Sequence, residues 1–195
     1  MKLSTTVPVP FFTIKFPALN TWIPHKLFVY LWYELRKIVY LHGLESQQGG
    51  QKVDYLSNKG YVFAPEMLYK QNPDLFQDTL EEIKELGEPN LIIGSSMGGY
   101  FAYMLASHFE NVEVILFNPA LKERSVEFRN VTKGKYKVKG TIALSEKDRV
   151  IDPKITLETL EEIDELDNFK IKEMKNIGHQ IPIYSFRDIY KQHNI

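Results

Sequence analysis

From Lys37 onward, short runs of β-branched and aromatic residues alternate with longer stretches of helical periodicity, and few folds accommodate that alternation. The apolar runs are Lys37–His42, ending at Gly43; Tyr61–Ala64, stopped by Pro65; Leu91–Ile93; Val112–Phe117; Thr141–Leu144; and Phe169–Met174. Each is short enough for a strand and too continuous for a half-exposed one. Between them the spacing predicts helices over Ser46–Lys59, with Gly60 as a left-handed cap, and over Met97–Phe109, Pro153–Leu166 and Pro182–His193. A further helix starts at Asn72-Pro73-Asp74, where a capping Asn, a Pro at the first position and an acid at the positive dipole end coincide. Leu75, Phe76, Thr79, Leu80, Ile83 and Leu86 then share one face, and Gly87 ends the helix. Strands alternating with helices mean βαβ units, so the expected fold is α/β: a doubly wound, mainly parallel sheet with helices on both faces.

Composition narrows what such a domain does. With 24 Lys+Arg against 25 Asp+Glu the net charge is −1, which provides no electrostatic footprint for nucleic acid or an anionic bilayer. With no cysteine, disulfides, thiolate metal sites and a cysteine nucleophile are excluded. Lys2, Lys15, Lys26 and Glu34 break up the apolar N-terminus, and Pro8, Pro10, Pro17 and Pro24 interrupt any signal-peptide core. The expectation is a soluble, cytoplasmic chain.

Residues 1–36 stand apart from the domain expected over 37–195. They hold eight of the 25 aromatics, four of the ten prolines and no glycine. That is too apolar for a flexible tail and too broken by proline for one long helix. The segment reads as an arm packed on the main domain. The sharper readings are a lid over an acyl site, a dimer contact or an extension outside the native fold.

The residues that carry chemistry begin at Gly94-Ser95-Ser96-Met97-Gly98, a G-x-S-x-G pattern between an apolar strand and a helix. A sharp strand-to-helix turn there lifts the central Ser96 above the sheet edge, and Gly94 and Gly98 let neighbouring backbone pass close. The competing reading is an ordinary glycine-rich turn or a phosphate loop. A Walker loop needs a Gly-Lys-Ser/Thr ending, yet no lysine lies between Lys84 and Lys122, and G-x-G-x-x-G is absent.

A nucleophilic serine needs a base and an acid that orients the base, in this architecture in the order Ser, Asp/Glu, His. Well downstream stand His179, in a loop beside Gly178 after the last strand, and His193, within the last three residues and expected to be exposed. His179 is the better base. For the acid, Asp148 lies four residues past the strand Thr141–Leu144; Glu146 competes, and Asp152 before Pro153 is better suited to capping the next helix. All three candidates then lie at carboxyl ends of strands, where open α/β sheets place their sites. Oxyanion donors are expected from the backbone N–H groups of Met97 and Leu44, with Gly43 permitting the turn that aims the latter. His42 reads as structural, holding that loop, rather than as a second base.

Together, Tyr40–Leu44, Gly94–Tyr100, Phe117–Ala120, Glu146–Asp148 and Gly178–His179 resemble the α/β-hydrolases, and specifically the small bacterial YqiA-like esterases. The resemblance covers about four-fifths of the chain. It implies a Ser96–Asp148–His179 triad that hydrolyses carboxylic esters or thioesters through an acyl-enzyme, without metal or cofactor. The chain departs from the family at residues 1–36.

Pro119–Gly140 is too short for a full lipase-style cap and carries seven cations: Lys122, Arg124, Arg129, Lys133, Lys135, Lys137 and Lys139. Such a run reads first as a solvated loop, and alternatively as a surface for an anionic acyl carrier such as coenzyme A. Two other functions share the sequence pattern. One is a serine peptidase or amidase; the other is a non-catalytic interaction protein whose triad is occluded by the N-terminal arm.

Overall fold

The computed structural model describes residues 35–122 and 124–193. The expected arm, apart from Leu35 and Arg36, lies outside the described residues. Six strands, β1 (Lys37–Leu41), β2 (Tyr61–Phe63), β3 (Leu91–Ser95), β4 (Glu113–Phe117), β5 (Gly140–Ser145) and β6 (Phe169–Met174), form one sheet in the order β2-β1-β3-β4-β5-β6. Every pairing is parallel. The chain leaves β1 toward β2 and returns to place β3 on the other flank of β1. Loops after β1 and β3 therefore diverge and leave a crevice at the carboxyl edge.

Side chains alternate along each strand, so the sheet buries two separate cores. Val39, Leu41, Ile92, Val114, Leu116 and Ile142 face α2 (Leu75–Leu86), α3 (Met97–Ala106) and α4 (Pro153–Glu162), among Phe76, Phe101 and Leu160. Ile38, Tyr40, Leu91, Ile93, Ile115 and Phe117 face α1 (Gln51–Ser57) and α5 (Ile183–Gln192), among Leu56, Phe186 and Ile189. Phe101 sits edge-on to Phe76, Tyr69 and Phe128, with the Phe128 ring centroid 4.8 Å away. Burying such side chains stabilises the fold by roughly 1.5–3 kcal/mol each.

Several local expectations are corrected. Helix α1 is only seven residues, because Gly49 and Gly50 adopt φ of 86° and 81° where a helix was expected. Gly60 is not a left-handed cap; a Cβ there would collide with the Arg36 carbonyl, so the constraint is close passage of the neighbouring chain. Helix α2 starts at Leu75 rather than Asn72, whose side chain instead accepts from the Asp74 N–H at 3.0 Å in the preceding turn. Gly87 ends α2 with φ 84°, as expected. Helix α4 stops at Glu162, and Leu166–Asn168 is a separate 3₁₀ turn. Asp152 caps α4 by accepting from Lys154 N–H at 2.9 Å.

His193, expected to be exposed, is buried against β5 and β4. Its Nδ1 lies 2.8 Å from Thr141 Oγ1, and its Nε2 comes within 3.2 Å of Glu113 Oε2 without hydrogen-bond geometry. The last turn of α5 packs on the sheet, which terminal position alone did not reveal. No helix among the described residues is long and apolar enough to cross a membrane.

Candidate active site

The Gly94–Gly98 segment is shaped by what its glycines admit. A Cβ on Gly94 would overlap the Gly98 carbonyl, and one on Gly98 would overlap the Leu41 carbonyl and reach 2.5 Å from the His42 oxygen. With backbone packed this tightly, Ser96 is forced to φ 55° and ψ −119°, a conformation ordinarily reserved for glycine. The turn is held by Ser96 N–H donating to Phe117 O at 2.9 Å, and by Ser96 O accepting from Gly99, Tyr100 and Ala120. Met97 opens α3, so its N–H has no intrahelical acceptor.

The structure brings Ser96, His179 and Asp148 together. His179 Nε2 lies 3.0 Å from Ser96 Oγ, and His179 Nδ1 lies 2.7 Å from Asp148 Oδ2. The Asp148 side chain is fully buried, and its other oxygen accepts from the N–H groups of Val150 at 2.8 Å and Ile151 at 3.0 Å. An acceptor-only carboxylate held this way imposes the tautomer with hydrogen on Nδ1, leaving the Nε2 lone pair toward Ser96.

The loops carrying acid and base extend the β5–β6 pairing. Glu146 N–H donates to Met174 O, Lys147 N–H to Ile177 O, and Asn176 N–H to the Glu146 carboxylate. Glu146 and Asp152, the competing acids, are thus engaged elsewhere, in this turn and in the α4 cap.

His42 is buried and ties the loop after β1 to its surroundings. Met67 N–H donates to its Nε2 at 3.1 Å, so the ring hydrogen is on Nδ1, which donates to Gly43 O at 2.8 Å. Tyr69 OH donates to the His42 carbonyl at 2.5 Å. Gly43 passes so close to the Ser96 turn that a Cβ would sit 3.3 Å from Ser95 O and from Ser96 Cβ. The need for glycine here is close approach, since its φ is not positive. Beyond it, Gly43–Ser46 closes a turn through Ser46 N–H to Gly43 O at 3.0 Å. Among the described residues, neither Leu44 nor Met97 N–H donates to any protein acceptor, and both residues line the same cleft as Ser96.

Asn118 was noted in the sequence only as part of the Phe117–Ala120 resemblance, yet it joins the parts of this site. At φ 43° and buried, it accepts from Ser145 N–H at 2.8 Å and donates to Ser145 Oγ at 3.0 Å and His179 O at 3.3 Å. The sequence signal was an Asn-Pro pair directly after an apolar strand.

The cleft measures about 1230 Å³. Leu44, Met97, Ala120, Val150, Ile151 and Ile181 supply its apolar wall. Of the cations between Pro119 and Gly140, Arg124 alone lines it among the described residues. Lys122 pairs with Glu162, and Lys133 pairs with Glu165 and donates to Tyr103 OH.

This is the fold of the α/β-hydrolases, with the G-x-S-x-G turn, acid loop and histidine loop at one end of the sheet. More particularly, residues 37–133 match the model of a family described as Uncharacterised protein family (UPF0227). A putative hydrolase of the alpha/beta superfamily from Xanthomonas campestris pv. campestris is similar at TM-score 0.61 and 16% identity, covering 82% of this chain and 96% of that one. The monoacylglycerol lipase of Paleococcus ferrophilus is similar at TM-score 0.61 and 17% identity, covering 81% and 92%. A predicted CIB-like hydrolase from Thermoplasma acidophilum is similar at TM-score 0.55 and 18% identity, covering 82% and 87%. At these identities the likeness is one of fold. Among curated proteins, none matches the sequence.

Proposed function

We propose that the protein is a serine hydrolase of carboxylic esters or thioesters, with Ser96 as nucleophile, His179 as general base and acid, and Asp148 as the group that orients His179. The observation that carries this reading is the continuous Asp148–His179–Ser96 hydrogen-bond chain, opening into a cleft with a largely apolar wall. The hydrolase and lipase neighbours of the same fold support it.

In the reaction, Ser96 Oγ attacks the acyl carbon while its proton passes to His179 Nε2. The carbonyl electron pair moves onto oxygen, facing the N–H groups of Leu44 and Met97; each such donor is typically worth about 2.7–4 kcal/mol. As the tetrahedral intermediate collapses, His179 returns the proton to the leaving alcohol or thiol, and the acyl group stays on Ser96. Water then attacks with His179 again as base, releasing the acid and regenerating the serine. Asp148 keeps its charge throughout and stabilises the imidazolium. Residues 37–195 form the catalytic domain in this reading, and residues 1–36 an appended arm of a cytoplasmic enzyme.

The test is labelling with a fluorophosphonate probe, using Ser96→Ala and His179→Ala as controls, followed by an ester and thioester panel. Labelling that needs both residues, with turnover on the panel, is expected. A folded protein that does not label would favour a non-catalytic interaction role.

A further inference from the structure

Lys52 lies on α1 and lines the cleft that contains Ser96. Its ammonium is 5.7 Å from the centre of the Phe186 ring, on the helix that follows the His179 loop. No carboxylate among the described residues comes within ion-pair distance of it. Glu45, which also lines the cleft, is exposed and faces Lys70 at 3.9 Å, and Asp148 is taken up by His179, Val150 and Ile151. Partial burial lowers the pKa of the Lys52 ammonium from its ordinary range. Arg124 also lines the cleft, its guanidinium stacked 4.1 Å from the Tyr100 ring centre.

A half-buried cation with no acidic partner among the described residues is left to be answered by solvent or by whatever enters the cleft. The apolar residues of the wall suit an acyl or aryl group but offer nothing to neutralise a charge. We propose that the substrate is an ester or thioester bearing a second, anionic group, a carboxylate or phosphate, and that Lys52 is the residue that binds it. This rests on the hydrolase reading above. An ammonium is a point charge with three donors, so it binds either anion, and the Phe186 ring lies within cation–π reach of it. Phe186 and Lys52 thus set substrate charge, and the triad sets the chemistry.

The experiment compares charged and neutral partners of one ester. 4-Acetoxybenzoate against its methyl ester places the anion on the leaving group; mono-4-nitrophenyl adipate against 4-nitrophenyl hexanoate places it on the acyl group. In Lys52→Met the charged-to-neutral ratio of kcat/KM should fall on the order of tenfold for one pair, as expected for loss of a charge-assisted contact. Lys52→Arg should retain the preference, and about 0.5 M salt should weaken it in the parent protein. Calorimetric binding of 4-hydroxybenzoate, adipate and phenyl phosphate, which needs no turnover, distinguishes carboxylate from phosphate. Turnover with ratios and anion binding indifferent to Lys52 overturns the inference and leaves the hydrolase reading intact. Lys52-dependent anion binding without hydrolysis of any ester does the reverse.

Discussion

The side-chain amide of Asn118 donates to the backbone carbonyl of His179, 3.3 Å away, while its oxygen holds the Ser145 N–H at 2.8 Å. One buried residue at the end of β4 thereby fixes the end of β5, from which Asp148 departs, and the loop that carries His179. Removing the amide leaves the Ser145 N–H unpaired, at about 1–3 kcal/mol. Asn118→Ala should lower kcat by about tenfold with KM little changed, since the base is displaced rather than the cleft altered. Asn118→Gly separates the causes, because glycine accepts φ 43° without penalty. Full activity in the glycine variant would show that only backbone conformation matters.

Asp148→Asn tests the imposed tautomer. Asparagine can still accept from Val150 and Ile151, but its NH₂ would oppose the Nδ1–H of His179 and turn the proton to Nε2. Steady-state kinetics should show kcat reduced by about 10³–10⁴-fold with the melting temperature nearly unchanged. A loss below tenfold would remove Asp148 from the mechanism.

Gly98→Ala places a methyl group against the Leu41 and His42 carbonyls, so the elbow must part from the loop after β1. The expected cost is about 3 kcal/mol or more, read from the urea midpoint. Gly99→Ala meets Pro119 Cα and Cβ at 2.9 Å, a shallower overlap than the 2.2 Å at Gly98, and should cost less. Equal midpoints for the two variants would contradict the packing account.

His193 sets a pH window for stability. Burial pushes its imidazole below the ordinary 6.5; Glu113 opposes this, and Lys170 and Arg36 add to it. The unfolded chain therefore binds more protons as pH falls through about 6.5, so stability is full above that value and declines on acidification. Between about pH 7.5 and 5.5 the denaturation midpoint should fall more steeply in the parent protein than in His193→Gln. Parallel slopes would show that His193 does not contribute.

The order of strands and helices was legible because each buried strand is a continuous apolar run and each helix has a one-sided stripe, both local properties of the chain. Leu75, Phe76, Thr79, Leu80 and Ile83 do lie buried on one face of α2. Helix ends were less legible: Gly49 and Gly50 shorten α1, and their positive φ is a choice that glycine permits without announcing. The sequence by itself also determined which residues could meet, since Ser96, Asp148 and His179 each follow a strand and parallel strands gather such ends at one edge.

Only the tertiary structure decided which groups do meet and what each is left free to do. Asn118 sits 61 residues from His179, and Lys52 comes to line the cleft beside Phe186 with no ion-pair partner among the described residues. His193 is buried through the docking of α5 on the sheet, which its place near the chain end could not foretell. Burial and pairing arise from contacts between segments distant in sequence, whereas periodicity and turn chemistry are written within a few residues, and that difference separates what could be read from what had to be seen.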